Sequence, residues 1–285
     1  MASLTKVNFS NLNKILYPDL AIKKSQIIEY YIKAAPLMLD YLKDRPLVIT
    51  RFPNGINQNG FYGKNAPKGT PSWVETYKKH SKTAKRDLNY IVCNNLDTLL
   101  WLANLAALEL HMPLSKTDSY EKPDLVLFDI DPEPPANIND AVKVANLLKE
   151  ILDNLSLKSY PKTSGKKGLH IIVPILPKYS YKQTREFVHQ IGKYLTKENE
   201  IIVSEFSQSQ DPGKVYIDYS QNSVGKTMIC PYSLRAEKKA PVSTPLSWEQ
   251  VTKRLKPKKF NIFSVLETKT NPWNGFWEHK QKLDV

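Results

Sequence analysis

Cysteine is nearly missing from this chain: its 285 residues include two, Cys93 and Cys230. Two thiols cannot build a disulfide framework, and neither lies in a C-x-x-C pair of the kind that opens a zinc site. Both are expected as buried, reduced thiols. Long apolar runs are missing too. No stretch of about 18 uncharged apolar residues occurs, so no membrane span is expected. The N-terminus, MASLTKVNFSNLNK, is polar throughout and unlike a signal peptide. The expected location is therefore inside the cell, in the cytoplasm. Internal repeats, low-complexity linkers and a Pro-rich hinge are also lacking, which favours one compact unit or two closely joined modules. Acids are in short supply, 28 against 41 Lys and Arg, leaving a net charge of +13. Such a surplus attracts polyanions, nucleic acid first among them, although solubility alone would also account for it.

What is present is ordinary for a globular protein, 41% apolar and 24% charged. Residues 25–43 carry apolar positions at helical spacing after Ser25, the expected cap, with a kink expected at Pro36. LVITRF (47–52) reads as a strand, and a second short strand is expected around FYGK. Residues 77–90 read as an exposed basic hairpin or loop. Residues 96–107 read as an apolar helix followed by extended ALELHM. Then come a strand at 124–130, a helix at 138–154 opened by Asn139 or Asp140, strands near 157–160 and 169–174, a helix at 180–197 and a strand at 215–220. Two short helices near 247–255 and 260–266 precede a Trp-rich tail. Over 124–220 this order predicts an α+β, split βαβ, RRM-like palm.

Three local signals carry chemistry. In FDIDP, Asp129 and Asp131 stand two apart on a strand and so share a face. Close carboxylates repel unless a cation lies between them, and two-metal phosphoryl-transfer sites use such pairs to hold ions about 4 Å apart. Solvated acids at a strand end are the alternative. In TSGKKGLH (163–170), two glycines let backbone amides approach an anion, with Ser164, Lys167 and His170 beside them. The spacing is not that of a P-loop, and a basic β-turn is the plainer reading. In VYIDYS, Asp218 is an acid in an apolar strand, to be satisfied by a metal or by a buried Arg or Lys.

Taken in order, FDIDP, SGKKGLH and IDYSQN resemble the archaeo-eukaryotic primase superfamily, and more closely the polymerase domain of bacterial DNA ligase D. NLNKILYPD, RPLVITRFPNG, FYGKNAPKGTPSWVETY, LANLAALELHMPLS and the Trp-rich end extend the resemblance from about residue 8 to 280. It implies a primase-type fold of mostly antiparallel sheets flanked by helices. The N-terminal module would cover about 1–120, the RRM-like catalytic module about 121–240, and C-terminal helices 241–285, packed as one domain.

The resemblance also implies an activity: gap filling and end extension at DNA double-strand breaks during non-homologous end joining, with ribonucleotides favoured. A de novo primase and a metal-dependent nuclease are the rival readings. Asp129, Asp131 and Asp218 would hold two divalent cations, Mn²⁺ or Mg²⁺. Arg51, Phe61, His111, Ser164, Lys167, His170, Gln221 and Arg235 would contact the nucleoside triphosphate. Phe61 and Tyr62 would stack on a nucleotide or template base, and Lys14 and Lys24 would grip a 5′-phosphate across a gap. The basic segment 77–90 matches a surface loop used where two broken ends are held together. Thr50 departs from relatives with a basic residue just before the arginine of the RFP strand, which touches sugar preference. The expected partners are DNA with gaps or 5′-phosphorylated ends, a Ku-like end binder and a separate ligase, since 285 residues leave no room for ligase or phosphoesterase modules. The expected state is a nucleoid-associated monomer, with pairing of two copies across a break.

Overall fold

The computed structural model describes residues 5–81, 84–267 and 271–283. The chain divides into two compact units. One comprises residues 1–113, 229–243 and 260–269, and the other residues 114–228, 244–259 and 270–285.

The first unit opens with two short paired strands, β1 (Ile15–Tyr17) and β2 (Ile22–Lys23). Helix α1 (Lys24–Leu42) follows and runs through Pro36. Its cap is Lys23, not Ser25, because the Gln26 side chain reaches back to the Lys23 N–H at 2.9 Å. Ile27, Tyr31, Ala34, Met38 and Leu42 form its buried stripe and pack toward α2 (Leu96–Asn104). Strands β3 (Pro46–Arg51), β4 (Phe61–Gly63), β5 (Thr76–Ser81), β6 (Arg86–Val92) and β7 (Ala107–Met112) make an antiparallel sheet. Its order is β13-β7-β3-β6-β5, with β4 paired to β3 and β13 being Met228–Ile229. The basic segment is thus the β5–β6 hairpin; its residues Lys82 and Thr83 lie outside the described residues.

The second unit holds β8 (Leu125–Pro132), α3 (Ile138–Asn154), β9 (Tyr160–Thr163), β10 (Leu169–Pro174), α4 (Tyr181–Glu198), β11 (Ile202–Val203) and β12 (Val215–Ile217). The sheet order β11-β12-β8-β10-β9 is that of a split βαβ, with one extra strand paired in parallel at the edge. The α+β, RRM-like expectation holds. Both helices pack on β8, the central strand, and Leu125–Phe128 is apolar and buried at every position. No helix among the described residues is long and apolar enough to cross a membrane.

Several boundaries differ from expectation, each for a local reason. Helix α3 is capped by Asn137, not by Asn139 or Asp140. The Asn137 side chain accepts from the Asn139 N–H (2.9 Å), while Asp140 accepts from the Asn137 N–H (3.0 Å). Strand β9 starts at Tyr160 because the Lys158 N–H is taken by the Gln281 side chain (2.6 Å). The helix expected at 247–255 is instead a 3₁₀ turn at Trp248–Gln250, and the one expected at 260–266 is a run of irregular turns that follows a 3₁₀ turn at Pro257–Lys259. Pro257 disfavours helical backbone at the residue before it. The Asn261 side chain accepts from the Phe263 and Ser264 N–H groups, a local alternative to helix.

Candidate active site

In the second unit, β8 carries Asp129 and Asp131 out of the core. From Asp129 onward burial alternates along the strand, so both carboxylates lie half-buried on one face while Ile130 and Pro132 stay inside. On one side, β10 sets His170 opposite Asp129, with Nε2 3.3 Å from Oδ1. On the other, β12 sets Tyr216 opposite Asp131 and Ile217 opposite Ile130. The next residue, Asp218, donates its N–H to the Asp129 carbonyl at 2.9 Å. The register thus brings the three aspartates together at one end of neighbouring strands.

Asp218 is not inside the strand, as its sequence setting implied. It caps the 3₁₀ turn Tyr219–Gln221. Its Oδ1 accepts from the Ser220 N–H (2.9 Å) and the Tyr216 hydroxyl (3.1 Å), and its Oδ2 from the Gln221 side chain (2.9 Å). Gln221, expected to meet the nucleotide, thus bonds Asp218 here. The turn is fixed from two sides. Buried Asn222 accepts from the Leu127 N–H (2.9 Å) and donates to the Leu127 carbonyl (2.7 Å), mimicking a ladder partner of β8. The Tyr219 ring stacks on His189 of α4 with centroids 3.9 Å apart, and His189 bonds Glu205 at 2.9 Å.

Burial and the neighbouring Asp129 charge push the Asp131 carboxyl up to about 6, against the pull of His170 and Lys167. A half-buried carboxylate pair of this kind suits a hard divalent cation by charge and by its all-oxygen donors. Among the described residues, however, no group of three or more His, Cys, Asp or Glu side chains forms a ready metal centre. The Asp218 carboxylate is held within its own turn, so the fit rests on the Asp129–Asp131 pair.

The turn after β9 lies against this pair. Ser164 Oγ accepts from the Gly168 N–H (3.1 Å) and the Lys166 N–H (3.3 Å). Gly165 takes a left-handed φ of 76°. A Cβ on Gly168 would stand 2.3 Å from the Ile130 carbonyl oxygen and 2.8 Å from Asp131 Oδ1, so only glycine lets the turn come this close to β8. Lys167 is exposed and ion-paired to Glu133 at 2.9 Å. Sequence reasoning missed Glu133, two residues past Asp131, because its partner lies 34 positions away.

In the first unit, His111 and Arg235 meet through an acid that the sequence reading also passed over. Glu109 lies 3.2 Å from His111 Nε2 and 3.2 Å from Arg235 Nε, and accepts from the Ala236 N–H at 3.2 Å. Burial alone would raise its carboxyl, but the His111 hydrogen bond and the Arg235 charge bring it down to about 2. An acid within apolar ALELHM was a readable signal, of the kind that singled out Asp218. Phe61 and Tyr62 on β4 are 56% and 59% exposed, and Tyr62 meets the His111 ring edge-on at 6.4 Å. Arg51 ends β3 opposite Phe61.

Lys14 is exposed and bonds the Asn54 side chain at 2.9 Å. Lys24 is 5% exposed, and its ammonium donates to the carbonyls of Ser10 (2.7 Å) and Asn104 (2.8 Å). Burial and the nearby Lys14 charge lower its pKa. The two lysines are therefore brought together, with Lys14 presented outward and Lys24 beneath.

Comparison with known proteins bears on this geometry. A family model described as "LigD, primase-polymerase domain" matches residues 23–273. The chain is 35% identical over 264 residues to the bifunctional non-homologous end joining protein LigD of Bacillus subtilis (strain 168), covering 92% of this chain and 42% of that protein. It is 30% identical over 258 residues to the multifunctional non-homologous end joining protein LigD of Mycolicibacterium smegmatis, covering 88% of this chain and 33% of that protein. The chain thus spans less than half the length of these curated relatives. Among solved structures, it resembles the polymerase domain from Mycobacterium tuberculosis ligase D in complex with DNA, with a TM-score of 0.84 and 28% identity over 92% of this chain and 94% of that one.

Proposed function

This chain belongs to the LigD primase-polymerase family, and from that premise we propose that it transfers nucleotides, directed by a template, to primer ends at DNA gaps and double-strand breaks in non-homologous end joining. The observation that supports this reading most is the register that joins Asp129, Asp131 and Asp218 at one end of the β8 sheet, beside the Ser164–Gly168 turn.

In this reading Asp129 and Asp131, joined by Asp218, hold two divalent cations, Mn²⁺ or Mg²⁺. Such ions, when bound, lower the pKa of a primer 3′-hydroxyl and neutralise the leaving pyrophosphate. The chain's own residues do the rest. Asp131, with its carboxyl near 6, is mostly ionised at neutral pH. The turn from Ser164 to Gly168, set by its internal hydrogen bonds, offers its outer face to the triphosphate without first having to order. Lys167 exchanges Glu133 for a phosphate oxygen, and His170 adds a donor beside Asp129. By resemblance, Arg51, Phe61, His111, Gln221 and Arg235 contact the nucleotide, Tyr62 stacks with Phe61 on a base, and Lys14, supported by Lys24, meets a 5′-phosphate. Ribonucleotides are favoured, and a Ku-like end binder and a ligase act on the same break.

The test is extension of a labelled primer on a gapped duplex bearing a 5′-phosphate, with Mn²⁺ or Mg²⁺ and either ribo- or deoxynucleotides. The labelled strand lengthens by templated steps, faster with ribonucleotides, and Asp129→Ala abolishes this. Shortening of the strand, or undiminished extension by Asp129→Ala, contradicts the reading.

A further inference from the structure

Outside the aspartate site, the strongest single-sign surface of the second unit is the segment after Trp248. From Val251 to Phe260 the sequence VTKRLKPKKF holds five cations and no acid, more than a third of the chain's net charge of +13. Lys253, Arg254, Lys256, Lys258 and Lys259 are all exposed. Some lysines elsewhere on this chain meet an acid, as in Lys33–Glu29, Lys78–Asp87, Lys143–Asp140, Lys167–Glu133 and Lys238–Asp19. Among the described residues, Lys253, Arg254, Lys256 and Lys258 form no such ion pair. Nor is the segment a loose tail. Val251 and Leu255 are buried on either side of Lys253 and Arg254, the Leu255 N–H donates to the Thr252 carbonyl (2.9 Å), and Asn146 of α3 donates to the Val251 carbonyl (3.3 Å). An ordered backbone that repeats buried anchor, exposed cations and buried anchor presents fixed positive charge. Like charges held this close repel one another, and a row of phosphates relieves that repulsion.

We propose that residues 253–258 are a second DNA contact, gripping the phosphates of duplex DNA without reading its sequence. The proposal rests on the DNA-binding reading above but not on its chemistry.

The test is binding of a fluorescent gapped duplex in EDTA, without nucleotide, across a range of KCl concentrations. The variant Lys253→Gln/Arg254→Gln/Lys256→Gln/Lys258→Gln is compared with a control that loses the same charge from α4, namely Lys182→Gln/Arg185→Gln/Lys193→Gln/Lys197→Gln. On α4 the cations are interspersed with Glu186 and Glu198. Each lost phosphate contact lowers the slope of log affinity against log salt by about 0.9. The 253–258 variant should lose up to about 3.6 in slope and at least about tenfold in affinity at low salt, with the control close to wild type. Equal losses in both variants reduce the effect to overall charge and overturn the proposal, as does a 253–258 variant that binds like wild type. Acetylation of wild-type lysines with and without duplex gives an independent reading. Lys253, Lys256 and Lys258 should be protected, and unchanged labelling overturns the assignment. If wild type binds DNA but fails to extend a primer, the polymerase reading falls while this surface stands.

Discussion

Replacing Asp131 with Asn should make the metal-free protein more stable while removing its activity. The Asp131 carboxyl is raised from 3.8 to about 6, chiefly by burial and then by Asp129. A shift of about 2 units is worth about 3 kcal/mol at 1.36 kcal/mol per unit, and nearer 2 once solvent screening of a half-buried group is allowed for. The sign follows from proton binding. Between about pH 4 and pH 6 the folded state holds the proton more tightly than the unfolded chain, so this group's contribution to stability falls as pH rises through that window and is level above it. Asn keeps the shape and never ionises. Urea unfolding in EDTA should therefore find Asp131→Asn about as stable as wild type near pH 4, and about 2 kcal/mol more stable at pH 7.5. Adding Mn²⁺ should narrow the gap by stabilising wild type alone. A variant less stable than wild type at pH 7.5, or a difference that does not change with pH, would refute the placement of Asp131 beside the Asp129 carboxylate.

Other outcomes follow from neighbouring contacts. Gly168→Ala drives a methyl into the Ile130 carbonyl and Asp131; it should cost about 1–3 kcal/mol in urea and most of the extension rate, whereas full activity would show the turn to be pliable. Asn222→Ala removes both bonds to Leu127 and should destabilise by about 2–3 kcal/mol, with Mn²⁺ affinity, measured directly, falling alongside. Phe61→Ala/Tyr62→Ala touches exposed rings and should leave stability within about 0.5 kcal/mol of wild type while weakening nucleotide or template binding by about 1–3 kcal/mol; a large loss of stability instead would make the rings structural. Glu109, depressed to about 2, contributes stability that is present above about pH 4.5 and lost as pH falls toward 2, so Glu109→Gln should flatten the acid limb of the wild-type stability profile.

The palm was legible because its signals are periodic or local. The apolar run before FDIDP, the two amphipathic helices and the SGKKG turn together specify strand, helix, hairpin, helix, strand, and the observed order β12-β8-β10-β9 follows. Asp129 and Asp131 were readable from their spacing alone, since alternate positions on a strand share a face. What escaped depends on side chains choosing partners across the fold. Asp218 reads as a strand acid, yet leaves the ladder because Ser220 and Gln221 offer it a turn. Glu133 is an unremarkable letter until Lys167 arrives beside it, and Glu109, though an acid in an apolar strand, does not show in sequence that His111 and Arg235 are its partners. Asn137 caps α3 because it stands just before the first helical residue, a matter of one position that periodicity does not resolve. Phe61 and Tyr62 would pass for core aromatics; a three-residue strand at the margin of its sheet leaves them exposed.

The most direct test of the aspartate site is a count of bound Mn²⁺ by isothermal titration, or by electron paramagnetic resonance, in the presence of a non-hydrolysable nucleoside triphosphate analogue. Wild type should bind two ions per chain. Asp129→Ala and Asp131→Ala should lose ion binding, and Asp218→Ala should weaken one ion more than the other. Wild-type stoichiometry and affinity in all three variants would mean that these carboxylates hold no metal.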